Sequence, residues 1–143
     1  MILPAISIQQ SGPGWASLIA SGRKTMETRL WYTRYRGPLV ICASAQPRIE
    51  GLPAGQALCI VMMSECRRMR PSDAQAACCD LYEGAYVWVF TRRWQILPFA
   101  VRGKPSIFTL VVPDQVIVDP AAIAQIQAAL ASAERAGCFE QIR

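Results

Sequence analysis

Histidine is missing from this 143-residue chain altogether, which removes every Ser–His and Cys–His mechanism from consideration. Any catalysis would have to use lysine, carboxylates, hydroxyls or a thiol. Long hydrophobic runs are missing too. The longest clear one, Ala57 to Met63, stops at Ser64-Glu65, far short of the roughly 20 residues that span a bilayer. No membrane association is expected. The opening Met1-Ile2-Leu3-Pro4 has no basic residue and no long apolar stretch after it, so no secretory leader is expected and the location read from it is cytoplasmic. Six cysteines occur without any CxxC spacing, and Cys78-Cys79 are adjacent, a poor geometry for gripping one ion together. With no histidine, a zinc site would need four thiolates from scattered positions. The expectation is no metal and no cofactor, with reduced cysteines acting as small core residues.

Charged residues are also scarce, at 17%, against 52% hydrophobic. Such a chain buries a core and is not disordered, and its length suits one compact domain over residues 1–143. The charge is unevenly placed. Residues 23–104 hold thirteen of the fifteen basic residues and six of the ten acids, a local excess of seven positive charges, while the remainder from Pro105 onward is net negative. Thirteen of the basic residues are arginine, whose planar fork suits phosphates and stacks on bases. A polyanionic partner accounts for this bias, and so does an arginine-rich codon usage.

Hydrophobic periodicity supplies the elements. Ala5 to Gln9 alternates as a first strand; Ser11-Gly12-Pro13-Gly14 is a turn; Trp15 to Ser21 is a short helix with Gly22 placed as its C′ residue. Thr25 to Trp31 alternates again, with Met26 and Leu30 facing one way and Thr25, Glu27, Arg29 and Trp31 the other. Residues 38–44 and 58–66 are apolar runs of strand length, and residues 85–90, 94–97 and 107–112 are three further strands. Ser72-Asp73-Ala74-Gln75, after Pro71, has a capping-box pattern opening a small helix. Asp119 as N-cap and Pro120 as first helical residue introduce a terminal packing helix over about 120–137, its stripe formed by Ile123, Ile126, Leu130 and Ala133. Many short strands between Gly and Pro turns predict an α+β fold around a small β-barrel of about five to seven strands.

The segment most suggestive of chemistry is Gly22-Arg23-Lys24-Thr25-Met26-Glu27-Thr28-Arg29. Strand alternation puts the carboxylate of Glu27 beside the guanidinium of Arg29, opposite Met26 and Leu30. Lys24, at the turn before the strand, has a flexible stem able to swing over the same face. Such a trio can hold a ligand by acceptors and donors at fixed spacing, or let Glu27 accept a proton. The plain alternative is a surface Glu–Arg ion pair worth about 0–1 kcal/mol.

Gly22-x-Lys24-x-x-Glu27-x-Arg29 resembles the G-x-K-x-x-E-x-R signature of the ASCH family, the activating signal cointegrator homology domain. Ser7-Ile8-Gln9-Gln10 followed by Trp15-Ala16-Ser17-Leu18-Ile19 is similar to that family's opening, and Leu30 to Leu39 to its W-x-T-x-Y-R-G-P-L stretch. Tyr82 to Trp88 and Val101-Arg102-Gly103-Lys104 extend the likeness, which covers about residues 5–112. The resemblance implies a PUA-like barrel with a cleft between the first helix and the barrel mouth, a cleft that binds RNA or a nucleotide-like ligand. It implies that Lys24, Glu27 and Arg29 line this cleft, with Gln10, Trp15 and Lys104 as further carry-overs. The chain departs from the pattern where Ser11 to Gly14 separates Gln10 from Trp15. A shorter branch of the family hydrolyses acetylcytidine with a lysine, a threonine three residues later and a distant glutamate. Here the residue three after Lys24 is Glu27, so the threonine does not carry over. A hydrolase of RNA or modified nucleosides using Lys24 and Glu27 is the alternative, with Asp73 or Glu83 as a second carboxylate. A DNA-binding module is the third reading, since a eukaryotic branch is linked to transcription.

Three further features bear on a partner. Trp31, Tyr32, Arg34, Tyr35 and Arg36 interleave rings with guanidiniums, a pattern suited to single-stranded RNA, where rings stack on bases and arginines meet phosphates; Trp31, Arg34 and Arg36 are the ligand contacts taken from it. Packing of Trp31 and Tyr35 at a strand edge or turn is the other reading. Arg67-Arg68-Met69-Arg70 reads as a solvated strand-to-helix turn, and Arg92-Arg93 as a hairpin tip.

Overall fold

The computed structural model describes residues 1–141. Its centre is one mixed six-stranded sheet: β1 (Ile2–Ile8), β2 (Met26–Arg29), β3 (Gly37–Ala43), β4 (Gln56–Arg68), β5 (Tyr86–Ala100) and β6 (Phe108–Val111), in the spatial order β2-β5-β4-β3-β1-β6. The β1 and β3 strands run parallel, Ala5 opposite Val40 through Ile8 opposite Ala43, and every other pair is antiparallel. A parallel pair needs a crossover, here supplied by the helix α1 (Trp15–Ala20) and β2. Bulges in the β4–β5 ladder between Ala57 and Cys59 and around Met63 bend the two longest strands, because an extra residue on one side sharpens the local twist. The sheet consequently curls into a half-barrel.

Burial follows strand position. Central β3 is buried at every residue, which is why Leu39 to Cys42 is apolar without alternation. Edge strand β2 is four residues long and carries Glu27 and Arg29, charges that discourage further pairing at an open edge. On the concave face α1 seats Ala16 and Ile19 among Ile6, Ile8, Ile41, Val61, Trp88 and Phe90. The opposite face is covered by α3 (Ala121–Arg135), whose Ala122 and Ile126 pack on Leu3, Val40, Ile60 and Trp94. Asp119 accepts from the Ala121 N–H at 3.0 Å. A third, small cluster under α2 (Ala74–Ala77) joins Met69, Ala77, Ala85 and Val87 with Met26.

The α+β arrangement of six strands with helices after the first strand, in mid-chain and near the end matches the sequence expectation. Several local readings change. Residues 85–90 and 94–97 are one continuous 15-residue strand, with Arg92 and Arg93 inside it and not at a hairpin tip. Pairing with β4 carries the backbone through the polar stretch, which hydropathy alone reads as a break. The small helix is preceded by a 3₁₀ turn over Pro71–Asp73, and its cap is Asp73, which takes the Arg70 N–H at 2.7 Å, in place of Ser72. Leu30 is 67% exposed and does not face inward with Met26, because β2 ends at Arg29. Cys42, Cys59 and Cys66 are buried free thiols; burial raises the first two to about 12, so they behave as small apolar residues. Among the described residues no helix is long and apolar enough to cross a membrane.

Candidate functional site: a charged cleft at the barrel mouth

The turn after α1 delivers the first charge of the site. Gly22 adopts φ +84° as the C′ residue, and the Arg23 and Lys24 N–H groups both donate to the Leu18 carbonyl at 3.0 Å. Lys24 is thereby aimed inward and is 2% exposed. Its Nζ lies 3.6 Å from Glu27 Oε1 and 4.9 Å from the Trp15 ring centroid, and it donates to the Ala77 carbonyl. The expected swinging lysine is a fixed one: a buried ammonium is tolerable only when it is paired and hydrogen-bonded.

The edge strand β2 supplies the other two charges. Met26 drops into the cluster under α2, while Glu27 and Arg29 share the opposite face. Glu27 Oε2 meets Arg29 Nη2 at 3.2 Å, and Oε1 accepts the Thr28 N–H at 3.0 Å. Arg29 Nη2 also donates to the Ser7 carbonyl at 3.1 Å, tying β2 to β1 across the open side of the half-barrel. One carboxylate thus sits between two cations, leaving a net positive floor.

These three residues line a cleft of about 740 Å³, a size that suits a small organic ligand. Trp15 and Tyr82 present rings to it, and Lys104 stands exposed at its rim. Two buried polar atoms of the cleft residues have no partner: Arg29 Nε and Ser7 Oγ. Gly103 lies against Ser7, so closely that a Cβ there would be 2.3 Å from the hydroxyl oxygen. Any side chain at this point of the loop carrying Lys104 would have to displace the Ser7 hydroxyl. Among the described residues there is no group of three or more His, Cys, Asp or Glu placed to hold a metal ion.

The other residues singled out from sequence are distributed differently. Gln10 is buried and outside the cleft lining; its Oε1 accepts the Ser17 N–H at 3.1 Å, and its Nε2 donates to Ser17 Oγ at 2.6 Å and the Pro53 carbonyl at 3.3 Å. It caps α1 in place of Gly14, where no side chain is available, and so keeps Trp15 turned toward the cleft despite the intervening turn. Trp31 packs edge-on against buried Trp88 at 4.8 Å. Tyr35 is wholly buried with its hydroxyl donating to the Pro38 carbonyl at 2.5 Å, and burial holds its pKa above the usual phenol value. Arg36 donates to the Thr33 and Tyr35 carbonyls, both at 2.8 Å, and Arg34 is exposed. None of Trp31, Arg34 and Arg36 lines the cleft. Asp73 and Glu83 are also outside it. Asp73 is engaged by both Arg67 Nη atoms, at 2.7 and 2.9 Å, and this guanidinium pulls its carboxyl down to about 2. The basic cluster is accordingly no loose turn: Arg67 is ion-paired and Met69 buried. Ser7, Tyr82 and Cys79 line the cleft without having been singled out for it; the only sequence signal at Ser7 and Tyr82 was their place in the resemblance.

Comparison with known proteins bears on the fold and the family. The ASCH domain family profile matches residues 11–100. Among solved structures, the ASCH protein of Zymomonas mobilis superposes with a TM-score of 0.56 at 16% identity, over 76% of this chain and 87% of that one. Two substitution variants of that protein give 0.52 at 16% identity, over 76% and 89%, and 0.50 at 14% identity, over 85% and 94%. Identities this low speak to the fold, and the fold is the PUA-like half-barrel. No curated protein matches significantly. With 90 of its 143 residues under the family profile, this chain belongs to the ASCH domain family.

Proposed function

We propose that the cleft binds RNA or a nucleotide-like ligand, with Arg29 and Lys104 meeting phosphate or base acceptors, Glu27 holding Lys24 and Arg29 in place, and Trp15 and Tyr82 flanking the base. One observation carries this reading: the paired Lys24–Glu27–Arg29 cluster, one carboxylate between two cations, lines a ligand-sized cleft together with Trp15 and Tyr82. Arg29 Nε and Ser7 Oγ, without partners and with no solvent exposure of their own, lie under this lining; buried polar atoms are almost always satisfied, and a turn of either side chain on binding would bring its free atom to the ligand. The net positive floor selects an anion. Membership of a family whose domains generally bind RNA supports the same reading.

Binding is favoured over hydrolysis because both Glu27 oxygens already have partners in Lys24, Thr28 N–H and Arg29, which leaves little of the carboxylate to activate a water. Fluorescence anisotropy with labelled single-stranded RNA tests the proposal. Affinity should fall as salt rises, and Arg29→Ala should weaken it about ten- to a hundred-fold, the loss of one charge-assisted contact of about 1–3 kcal/mol. Salt-independent binding that Arg29→Ala leaves unchanged rules it out. Turnover of acetylated nucleosides or RNA that disappears in Lys24→Ala would replace it with the hydrolase reading, and preference for duplex DNA with the third.

A further inference from the structure

Next to Arg29, and outside the cleft, the sheet presents a row that the cleft does not use. Arg29 is the direct cross-strand neighbour of Tyr86 on β5, and Tyr86 is in turn opposite Arg68 on β4. Directly opposed residues project from the same face, one strand spacing of about 5 Å apart. Arg68 stacks over the Tyr86 ring at 5.3 Å, Tyr32 packs edge-on to Tyr86 at 5.9 Å, and Arg36 lies over Tyr32 at 5.7 Å. Guanidinium and ring therefore alternate in register from Arg29 at the cleft floor to Tyr86 on the next strand, and in contact from Tyr86 to Arg68 on one branch and to Tyr32–Arg36 on the other.

The outer part of the row is accessible, and beyond Arg29, which is paired with Glu27, its charge has no acidic partner among the described residues. Tyr32 is 48% exposed, Arg68 is exposed, and among the described residues neither Arg68 nor Arg36 has an acidic partner. Nearby Arg67 is neutralised by Asp73, so the excess positive charge at this end of β4 belongs to Arg68. Rings and forks arranged in this way match a single nucleic-acid strand, whose unstacked bases offer faces and whose phosphates offer acceptors. A duplex keeps its bases stacked inside and offers nothing to Tyr32. We infer that the row Arg29–Tyr86–Arg68 with Tyr32 and Arg36 is a second subsite, which takes the nucleotide flanking the one held in the cleft, so that the protein's ligand is a single-stranded oligonucleotide and not a mononucleotide alone. This inference rests on the cleft reading above.

The probes are uridine 5′-monophosphate, followed by calorimetry, and fluorescein-labelled uridine di-, tetra- and octanucleotides, followed by anisotropy, with intact chain. Affinity should rise at least about ten-fold from mononucleotide to tetranucleotide. Tyr32→Ala should lower tetranucleotide affinity about ten-fold, the lower range for one lost base stack, and Tyr32→Phe, which keeps the ring, should restore it. Arg68→Ala should weaken the tetranucleotide and reduce the salt slope by about one. Mononucleotide affinity should be the same in all three variants, which also shows that they are folded. Equal affinity for mono- and tetranucleotide, indifference of the tetranucleotide to Tyr32→Ala and Arg68→Ala, or equal competition by an RNA duplex overturns the second subsite. If those variants are silent while Arg29→Ala abolishes both ligands, only this inference falls. If neither ligand binds the wild-type chain, the cleft reading falls and takes the subsite with it.

Discussion

Glu27 and Asp73 are both buried carboxylates held by arginine, exposed by 6% and 5% respectively, and their surroundings differ in how many polar atoms are left over. Around Asp73 nothing is. Its two oxygens take both Arg67 Nη donors and the Arg70 N–H, while Arg67 Nε lies 3.3 Å from Glu65. The fork-to-fork geometry joins the end of β4 to the turn that opens α2, and neither Arg67 nor Asp73 lines the charged cleft. Around Glu27 the network stops short: the carboxylate is shared between two cations, and Arg29 Nε and Ser7 Oγ stay unpartnered beside a cleft. A saturated network is structural. The unsaturated one lies under the cleft proposed to take a ligand.

The largest test of this contrast is Glu27→Ala. Removing the carboxylate strands the ammonium of Lys24 in a site with 2% exposure, and breaking a buried pair from one side costs about 3–5 kcal/mol. The melting temperature should fall by about 10 °C or more, measured by calorimetry. A loss under about 1 kcal/mol would mean that the cluster is solvated and the contrast with Asp73 false.

Asp73→Ala should cost about 1–3 kcal/mol in urea denaturation, the loss of charge-assisted hydrogen bonds with a guanidinium left behind, while RNA affinity stays as in the wild type. Its pH dependence has a definite sign. The Asp73 carboxyl, held at about 2 in the folded chain by Arg67 against 3.8 ordinarily, binds its proton more readily when unfolded. The stability gap between wild type and variant is therefore complete above about pH 4 and closes as pH falls through about 2. A gap that widens on acidification would contradict this assignment.

Ser7→Ala should have the smallest effect on stability and is the sharpest test. Because the hydroxyl oxygen has no partner, its removal should leave stability unchanged or raise it by up to about 1 kcal/mol, while weakening the cleft ligand several-fold. Destabilisation without loss of affinity would show that the hydroxyl is structural after all.

Local rules made much of the fold legible. The period-2 pattern at Met26 to Arg29, the buried run at Leu39 to Cys42 and the Asp119-Pro120 helix start each depend on near neighbours, and each appears close to where it was expected. The continuous β5 was not legible, because the polar residues Thr91 to Arg93 break a hydropathy pattern that pairing with β4 holds together. Within the site, alternation placed Glu27 and Arg29 side by side, since that needs only strand geometry. It gave Lys24 a freedom that the Ala77 carbonyl, 53 residues away, removes. Gln10 has the character of a ligand-binding residue in sequence, yet the missing cap at Gly14 turns it inward to hold α1.

The amino-acid order by itself determined which residues alternate, which helices start and stop, and that histidine and CxxC chemistry have no place here. All of these are consequences of side-chain identity and steps of two or three to four residues. Only the tertiary structure decided that Ser7, Tyr82, Gly103 and Arg29 enclose one hollow, and that Arg29, Tyr86 and Arg68 stand in a row. Strand order and curl bring together groups tens of residues apart, and the partners left unsatisfied there become visible only once every neighbour has taken its place.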